Sequence, residues 1–281
     1  MTMASLPLAP QEISVDFVDS VARIVRDSAE REILPRYRSV TAYRKHDGSL
    51  LTEADLATQH ALVRGLSGLI DYPVLGEEMP GEEQRRVWEG GGRFWCIDPI
   101  DGTSNFSNGI PYFAVSVALM EHDRPLLGCI YDPIADELFC AARGAGTWLN
   151  RQPLRRQVGS RTLAGSLAEV DLRKEKSPLR TAIKHHSPYA RRKTSGSSAL
   201  SWCHLAAGRV DLVLHAGQMV WDYSAGALIL AEAGGRLATL DSDDFWSGPV
   251  WQRSVIATHD AALFEPWSRW VREHHGGPAG Q

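Results

Sequence analysis

Apolar positions recur along this chain at two periods, and the switches between them outline its elements. Ile13, Phe17, Val18, Val21, Ile24 and Val25 fall mostly three or four apart. That spacing lines one face of a helix and predicts an amphipathic helix over residues 11–31. Thr52 stands three residues before Asp55, the arrangement of a capping box with the shorter acid, and Ala57, Leu62 and Leu66 follow. A second helix is therefore predicted to start at Thr52. Between the two helices, Asp47-Gly48 marks a turn or hairpin within residues 45–51. Val74-Leu75 and residues 94–97 read as short buried strands, each closely followed by acidic residues.

From residue 111 to 154 the pattern changes to apolar runs divided by turn residues. Runs at 113–120, 126–131, 137–142 and 147–149 predict an antiparallel meander, with Asp132-Pro133 and Gly144-Ala145-Gly146 at turns. The polar stretch 150–161 is the best candidate boundary, giving an N-terminal portion 1–150 and a C-terminal portion 151–281. Beyond it the pattern predicts a helix over 198–207, a strand over 211–215, and a helix over 222–233 closed by Gly234-Gly235. Strands at 236–240 and 254–258 follow, then a terminal helix carrying Leu263, Trp267, Trp270 and Val271, with both tryptophans in the core. Residues 276–281 are expected to be loose. The stretch 177–193, with His185, His186, Arg191, Arg192 and Lys193, yields no element. Its basic run 190–193 reads as a solvated face or mobile loop rather than an RNA patch.

Composition narrows the function classes. The 281 residues allow one large domain or two smaller ones, and 43% are apolar, ordinary for a globular protein. A net charge of -4 gives no reason to expect a nucleic-acid partner. The longest apolar runs are far too short to span a bilayer, and no membrane partner is expected. The first ten residues lack a basic region followed by an apolar core, so no signal peptide is read. The four cysteines, Cys96, Cys129, Cys140 and Cys203, show no CxxC spacing. They are expected as buried free thiols in a reducing, cytoplasmic setting rather than as a disulfide or zinc site.

Four groups of acids stand at predicted helix starts or strand ends: Asp55, Glu77-Glu78, Asp98 with Asp101, and Asp222. In α/β folds these are the places where ligands collect. Carboxylates gathered there would repel one another and raise each other's pKa values unless a cation lay between them. Magnesium suits such an oxygen site, keeps waters and binds phosphate oxygens as well. Gly102 and the hydroxyl residues after it offer backbone N–H groups that could receive phosphate.

The residues Gly76-Glu77-Glu78, Asp98-Pro99-Ile100-Asp101-Gly102-Thr103-Ser104-Asn105-Phe106 and Trp221-Asp222-Tyr223-Ser224-Ala225-Gly226 resemble the three signature motifs of the inositol monophosphatase family. Weaker matches lie at residues 45–55 and 143–150, all in family order. The resemblance implies a layered α/β/α/β/α sandwich and a magnesium-dependent, lithium-sensitive phosphatase, commonly dimeric. It implies that Glu77, Asp98 and the Ile100 carbonyl hold a first magnesium ion. Asp98, Asp101 and Asp222 would hold a second, and Glu77 would touch a third, weaker one. Asp55 and Thr103 would orient the attacking water with Glu77 nearby, and Lys45 would supply a charge behind the ligands. The N–H groups of Gly102 and Thr103, in the turn with Ser104, would receive the phosphate. Gly196, Ser197 and Ser198 would approach the organic part of the substrate together with Asp101 and Asp222.

One position departs from that pattern. Where inositol phosphatases usually carry a glutamate for ring hydroxyls, this chain has His215. The expected substrate is a small phosphorylated polyol or alcohol, with inositol-1-phosphate the default. Histidinol phosphate, a sugar bisphosphate and a 3′-phosphonucleotide stay open as alternatives. So does a regulatory member of the fold that binds RNA or protein.

Overall fold

Ser14 accepts the N–H of Phe17 and thereby starts α1 (Val15–Ser28). The chain then widens into a π-helical turn at Ala29–Ile33 and tightens into a 3-10 turn at Leu34–Arg36, which holds Pro35. The first helix thus begins later than predicted and ends in irregular turns. The computed structural model describes residues 13–45, 48–155, 161–173, 176–248 and 250–276. Residues 11 and 12 of the predicted helix, Asp47 of the predicted turn, part of the candidate boundary and residues 277–281 lie outside that set. The hairpin itself is present as β1 (Tyr43–Arg44) paired with β2 (Leu50–Leu51). Helix α2 (Glu53–Leu69) starts at Thr52 with both halves of the capping box made, as the sequence predicts.

The predicted meander forms most of the larger sheet. It contains β3 (Val74–Gly76), β4 (Arg93–Asp101), β5 (Ala114–Glu121), β6 (Arg124–Asp132), β7 (Glu137–Ala142), β8 (Gly146–Leu149) and β9 (Gln152–Pro153), side by side in that order. Only β3 pairs in parallel; the rest are antiparallel neighbours. Two short helices interrupt it: α3 (Gly81–Glu89) and α4 (Thr103–Ser107). Alternation along β4 sends Trp95 and Ile97 to one face, against Val18, Val21, Leu62 and Leu66 of α1 and α2. Phe94 and Cys96 go to the other.

The second sheet comes from the C-terminal half. Its strands are β10 (Leu167–Asp171), β11 (Arg191–Lys193), β12 (Leu212–Met219), β13 (Arg236–Ala238) and β14 (Gln252–Thr258), ordered β11-β10-β12-β14-β13. Helices α6 (Ser198–Ala206) and α7 (Val220–Glu232) lie between the two sheets, sharing one core with Phe94, Cys96, Val213 and Val255. Helices α5 (Pro178–His185) and α8 (Ala261–His275) cover the outer face, where Leu179, Ile183, Leu263 and Trp267 pack on Leu212, Leu214 and Ile256. The layers therefore run α/β/α/β/α. Close packing in the middle layer depends on glycine. A Cβ on Gly226 would lie 2.4 Å from the Trp202 side chain, and one on Gly128 of β6 would lie 2.8 Å from the Ala225 carbonyl.

Other parts of the chain also differ from the sequence expectation. The unassigned stretch 177–193 folds as α5 and β11, and its basic run forms an edge strand paired in parallel with β10. Helix α7 starts at Val220, so Asp222 is its third residue rather than its first. Trp267 is fully buried, but Trp270 is half-buried and stacks on it. All four cysteines are buried and free. Among the described residues no helix is long and apolar enough to cross a membrane.

Candidate active site

Positions three apart on a regular strand face opposite ways. Asp98 and Asp101 escape that rule because β4 slips its register between them. Asp98 lies opposite Ser116 and Asp101 opposite Ala114, three steps against two. Such a bulge re-aims a side chain. Asp222 reaches the same place from the first turn of α7, and its Oδ2 accepts the Met219 N–H at 2.9 Å. Asp98, Asp101 and Asp222 each present a carboxylate oxygen, and these oxygens lie within 4.8 Å of one another. Burial, then the nearby charges of Glu77, Asp101 and Asp222, hold the Asp98 carboxyl well above the usual range. Its Oδ1 accepts the Ile100 N–H at 3.0 Å.

Asp101 is tied across to the second half of the chain. Its Oδ2 accepts the Ser197 hydroxyl at 2.5 Å and the Ala199 N–H at 2.6 Å, so it caps α6 from a distant strand. Burial raises this carboxyl to about 6, against the lowering pull of those hydrogen bonds.

Glu77 follows β3 and stands outside the group of three. The Lys45 ammonium lies 3.3 Å from it and 2.7 Å from Glu78, bridging both carboxylates. Burial alone would lower the Lys45 pKa; the charges of Glu77 and Glu78 outweigh it and raise it. Burial also lifts Glu77, and it carries Glu78 to about 7 with help from the Glu77 charge. The Glu78 side chain is thus a buried partner of Lys45. The backbone here is held by Gln84, which donates to the Gly76 carbonyl at 2.8 Å, and by Gln59, which accepts the Glu78 N–H at 3.1 Å.

Asp55 divides its two oxygens between two tasks. Oδ2 takes the Thr52 N–H at 2.7 Å and the Thr52 hydroxyl at 2.6 Å, which is the helix cap. Oδ1 faces the Thr103 hydroxyl at 3.3 Å. That hydroxyl also stands 3.0 Å from the Ile100 carbonyl, and its single proton can serve one of them at a time. Gly102 adopts φ +100°, and a Cβ there would crowd the Tyr112 and Gly196 carbonyls at 3.1 and 3.3 Å. This left-handed residue turns the strand into α4, whose first N–H groups have no partner inside the helix. Asn105 fastens that turn to the loop before α6, donating to the Tyr112 carbonyl at 2.7 Å and the Ser195 carbonyl at 2.8 Å.

A cavity of 520 Å³ opens beside the acids. Asp101, Gly196, Ser197, Ser198, His215 and Asp222 line it, as do Glu169, Asp171 and Arg173, which the sequence reading missed. Ser104 is exposed and does not line it, and the Ser197 hydroxyl is engaged with Asp101. His215 Nδ1 accepts the Gly217 N–H at 3.0 Å. The neutral ring then carries its proton on Nε2, which lies 3.6 Å from Asp171 Oδ2 on the neighbouring strand.

These carboxyls make the metal-free fold sensitive to pH. A carboxyl whose folded pKa is raised binds protons more tightly folded than unfolded, so its contribution to stability is lost as pH rises through the folded value. Asp101 alone, moved from 3.8 to about 6, accounts for on the order of 3 kcal/mol. We expect the melting temperature in chelator to fall relative to that in magnesium as pH rises from about 5 to about 7.5. A gap of roughly 5–10 °C at the upper pH fits this magnitude. Thermal melts that run parallel in the two buffers would show that the acids do not share a cation.

Comparison with known proteins now fits this geometry. The profile of the inositol monophosphatase family matches residues 11–272. The Nus factor SuhB of Xylella fastidiosa is 36% identical over 179 residues, 62% of this chain and 62% of that protein. The chain thus spans less than two thirds of that relative. The 3′(2′),5′-bisphosphate nucleotidase CysQ of Escherichia coli is 30% identical over 222 residues, 77% of this chain and 88% of that protein. Among solved structures, an inositol monophosphatase from Anabaena has a TM-score of 0.72 at 28% identity, covering 92% of this chain and 96% of its own. An IMPase from Thermotoga maritima superposes with a TM-score of 0.78 at 24% identity, over 92% of this chain and 98% of its own, which shows the shared fold. The family match places the chain among the phosphoric monoester hydrolases. The chain belongs to the inositol monophosphatase family.

Proposed function

We propose that this protein is a magnesium-dependent phosphomonoesterase that hydrolyses a small polyol or alcohol phosphate, with inositol-1-phosphate as the reference substrate. The observation that carries the reading is the trio Asp98, Asp101 and Asp222, the first two buried and the third half-buried, whose oxygens approach within 4.8 Å. An all-oxygen, mutually repelling donor set fits a hard cation. Glu77, Asp98, the Ile100 carbonyl, Asp101 and Asp222 are the groups that would hold magnesium. Bound magnesium lowers the pKa of water and offsets charge on the leaving oxygen.

The chain's own residues supply the rest. Thr103, aligned by Asp55, orients the water that attacks phosphorus. The N–H groups of Gly102 and Thr103 receive phosphate oxygens. The alcohol lies in the cavity, where Asp171 and His215 stand side by side. A carboxylate acceptor next to an Nε2–H donor matches hydroxyl groups, which both donate and accept. Asp171 thereby returns to this wall the carboxylate that residue 215 lacks.

The test is phosphate release by purified protein with magnesium. The panel holds inositol-1-phosphate, histidinol phosphate, a sugar bisphosphate and a 3′-phosphonucleotide. Release from inositol-1-phosphate is expected, with inhibition by lithium. No release from any of the four would overturn the proposal.

A further inference from the structure

Strand β10 reads Leu167-Ala168-Glu169-Val170-Asp171. Its alternation sends Ala168 and Val170 into the outer core, while Glu169 and Asp171 belong to the wall of the acid-lined cavity. Asp171 meets His215 there. Glu169 lies deeper, with 6% of its surface exposed. A carboxylate is costly to take out of water, so one kept inside needs partners. Those of Glu169 lie on one stretch of chain. Lys193, the last residue of β11, stands opposite it in the parallel pair, and the Lys193 ammonium is 3.4 Å from Glu169 Oε2. Glu169 Oε1 accepts the Ser195 N–H at 3.2 Å.

That stretch hangs between the two sheets. On the side of the smaller sheet, Glu169 holds the Ser195 N–H, and the Val170 carbonyl accepts the Thr194 hydroxyl at 2.9 Å. On the side of the larger sheet, Asn105 in the turn after β4 holds the Ser195 carbonyl. Ser195 is thus gripped through both of its backbone groups. Gly196 follows at φ +84°, where a Cβ would lie 3.0 Å from the Asn105 amide. Then Ser197 opens α6. Its hydroxyl oxygen accepts the Leu200 N–H at 3.2 Å and donates its proton to Asp101. A displacement of Ser195 therefore reaches Asp101 within two residues.

We propose that Glu169 is a positioning residue for the reaction. Through its bond to Ser195 it fixes Ser197 and Ala199 where they orient Asp101, and so governs how tightly Asp98, Asp101 and Asp222 hold their cation. This rests on the magnesium-dependent reading above. Groups that stand behind metal ligands control affinity by holding those ligands in one orientation. The Lys193 ammonium offsets the charge of Glu169 and lies 5.1 Å from the centre of the Tyr112 ring, whose carbonyl is also bound by Asn105. The ion pair keeps the carboxylate in place; the bond to Ser195 transmits the position. Reach and charge are therefore separable tasks of one side chain.

The experiment compares wild type with two variants. Glu169→Gln keeps an oxygen at the same reach for the Ser195 N–H and drops the charge. The Lys193 side chain, 33% exposed, can then turn to water. Glu169→Asp keeps the charge and is one methylene too short for Ser195. Magnesium binding to the folded proteins is read by calorimetry without substrate, and phosphate release from inositol-1-phosphate is followed across magnesium concentrations. Glu169→Asp should bind magnesium about tenfold or more weakly than wild type, and Glu169→Gln within about threefold of it. At saturating magnesium the kcat of Glu169→Asp should return to within about threefold of wild type, a recovery that general damage to the fold would not show. Wild-type magnesium affinity in Glu169→Asp, or a loss in Glu169→Gln at least as large as in Glu169→Asp, would overturn the proposal. So would activity of Glu169→Asp that stays lost at saturating magnesium. If wild type bound magnesium and released no phosphate, the phosphatase reading would fall and calorimetry would still decide the role of Glu169. Absence of magnesium binding by wild type would overturn both.

Discussion

Replacement of Asp98 by asparagine should lower kcat/KM by two to three powers of ten, about 3–4 kcal/mol of barrier, and leave the fold intact. Asp98 is buried at the centre of the acids, and its charge is opposed by Glu77, Asp101, Asp222 and Asp55 together. Asparagine keeps the shape and an oxygen to accept the Ile100 N–H, so the turn at residues 98–100 survives. It removes one negative charge from a repelling cluster, so the metal-free variant should melt at or above the wild-type temperature. The loss therefore falls on cation binding and turnover. Steady-state kinetics at saturating magnesium, with a melt in chelator, separate the two effects. Activity within a few-fold of wild type would exclude Asp98 from the reaction, and a lower melting temperature would refute the repulsion argument.

Removal of divalent cations is expected to abolish phosphate release, and added magnesium should restore it. Asp98, Asp101, Asp222 and Glu77 gather several carboxyl groups beside the place proposed for the phosphate. Without a cation that place repels its substrate, so binding as well as chemistry fails. Magnesium and phosphate should accordingly each tighten the other's binding. Dialysis against chelator, followed by titration with magnesium at several substrate concentrations, measures this coupling. Undiminished turnover in excess chelator would refute the magnesium requirement, and magnesium affinity independent of substrate would refute the coupling.

What was legible in the sequence follows from where each side chain points. Strands β5 to β7 are buried on both faces, so they appear as near-continuous apolar runs. Thr52 and Asp55 are local partners, so the start of α2 could be read from four residues. Strand β10 was missed because Glu169 and Asp171 sit in it, turned toward the cavity. They alternate with Ala168 and Val170, so β10 has no continuous apolar run of the kind that reveals β5 to β7. Helix α3 was missed because Gln84 is its one buried residue, and that residue holds backbone rather than joining a core. The acids of the site were recognisable by type and order. Their convergence was not, because it depends on a one-residue register slip in β4 and on contacts from distant parts of the chain.

The bond from Asp101 to α6 has a consequence for the order in which the molecule comes together. The larger sheet is built from neighbours in sequence, and such contacts form early. Asp101 belongs to that sheet, yet its Oδ2 is committed to Ser197 and Ala199, almost a hundred residues further on. Asp222 arrives later still along the chain. The larger sheet alone therefore supplies Asp98 and Asp101 but neither Asp222 nor the bonds that fix Asp101. The cluster of three acids thus closes only when segments about a hundred residues apart in the chain have met.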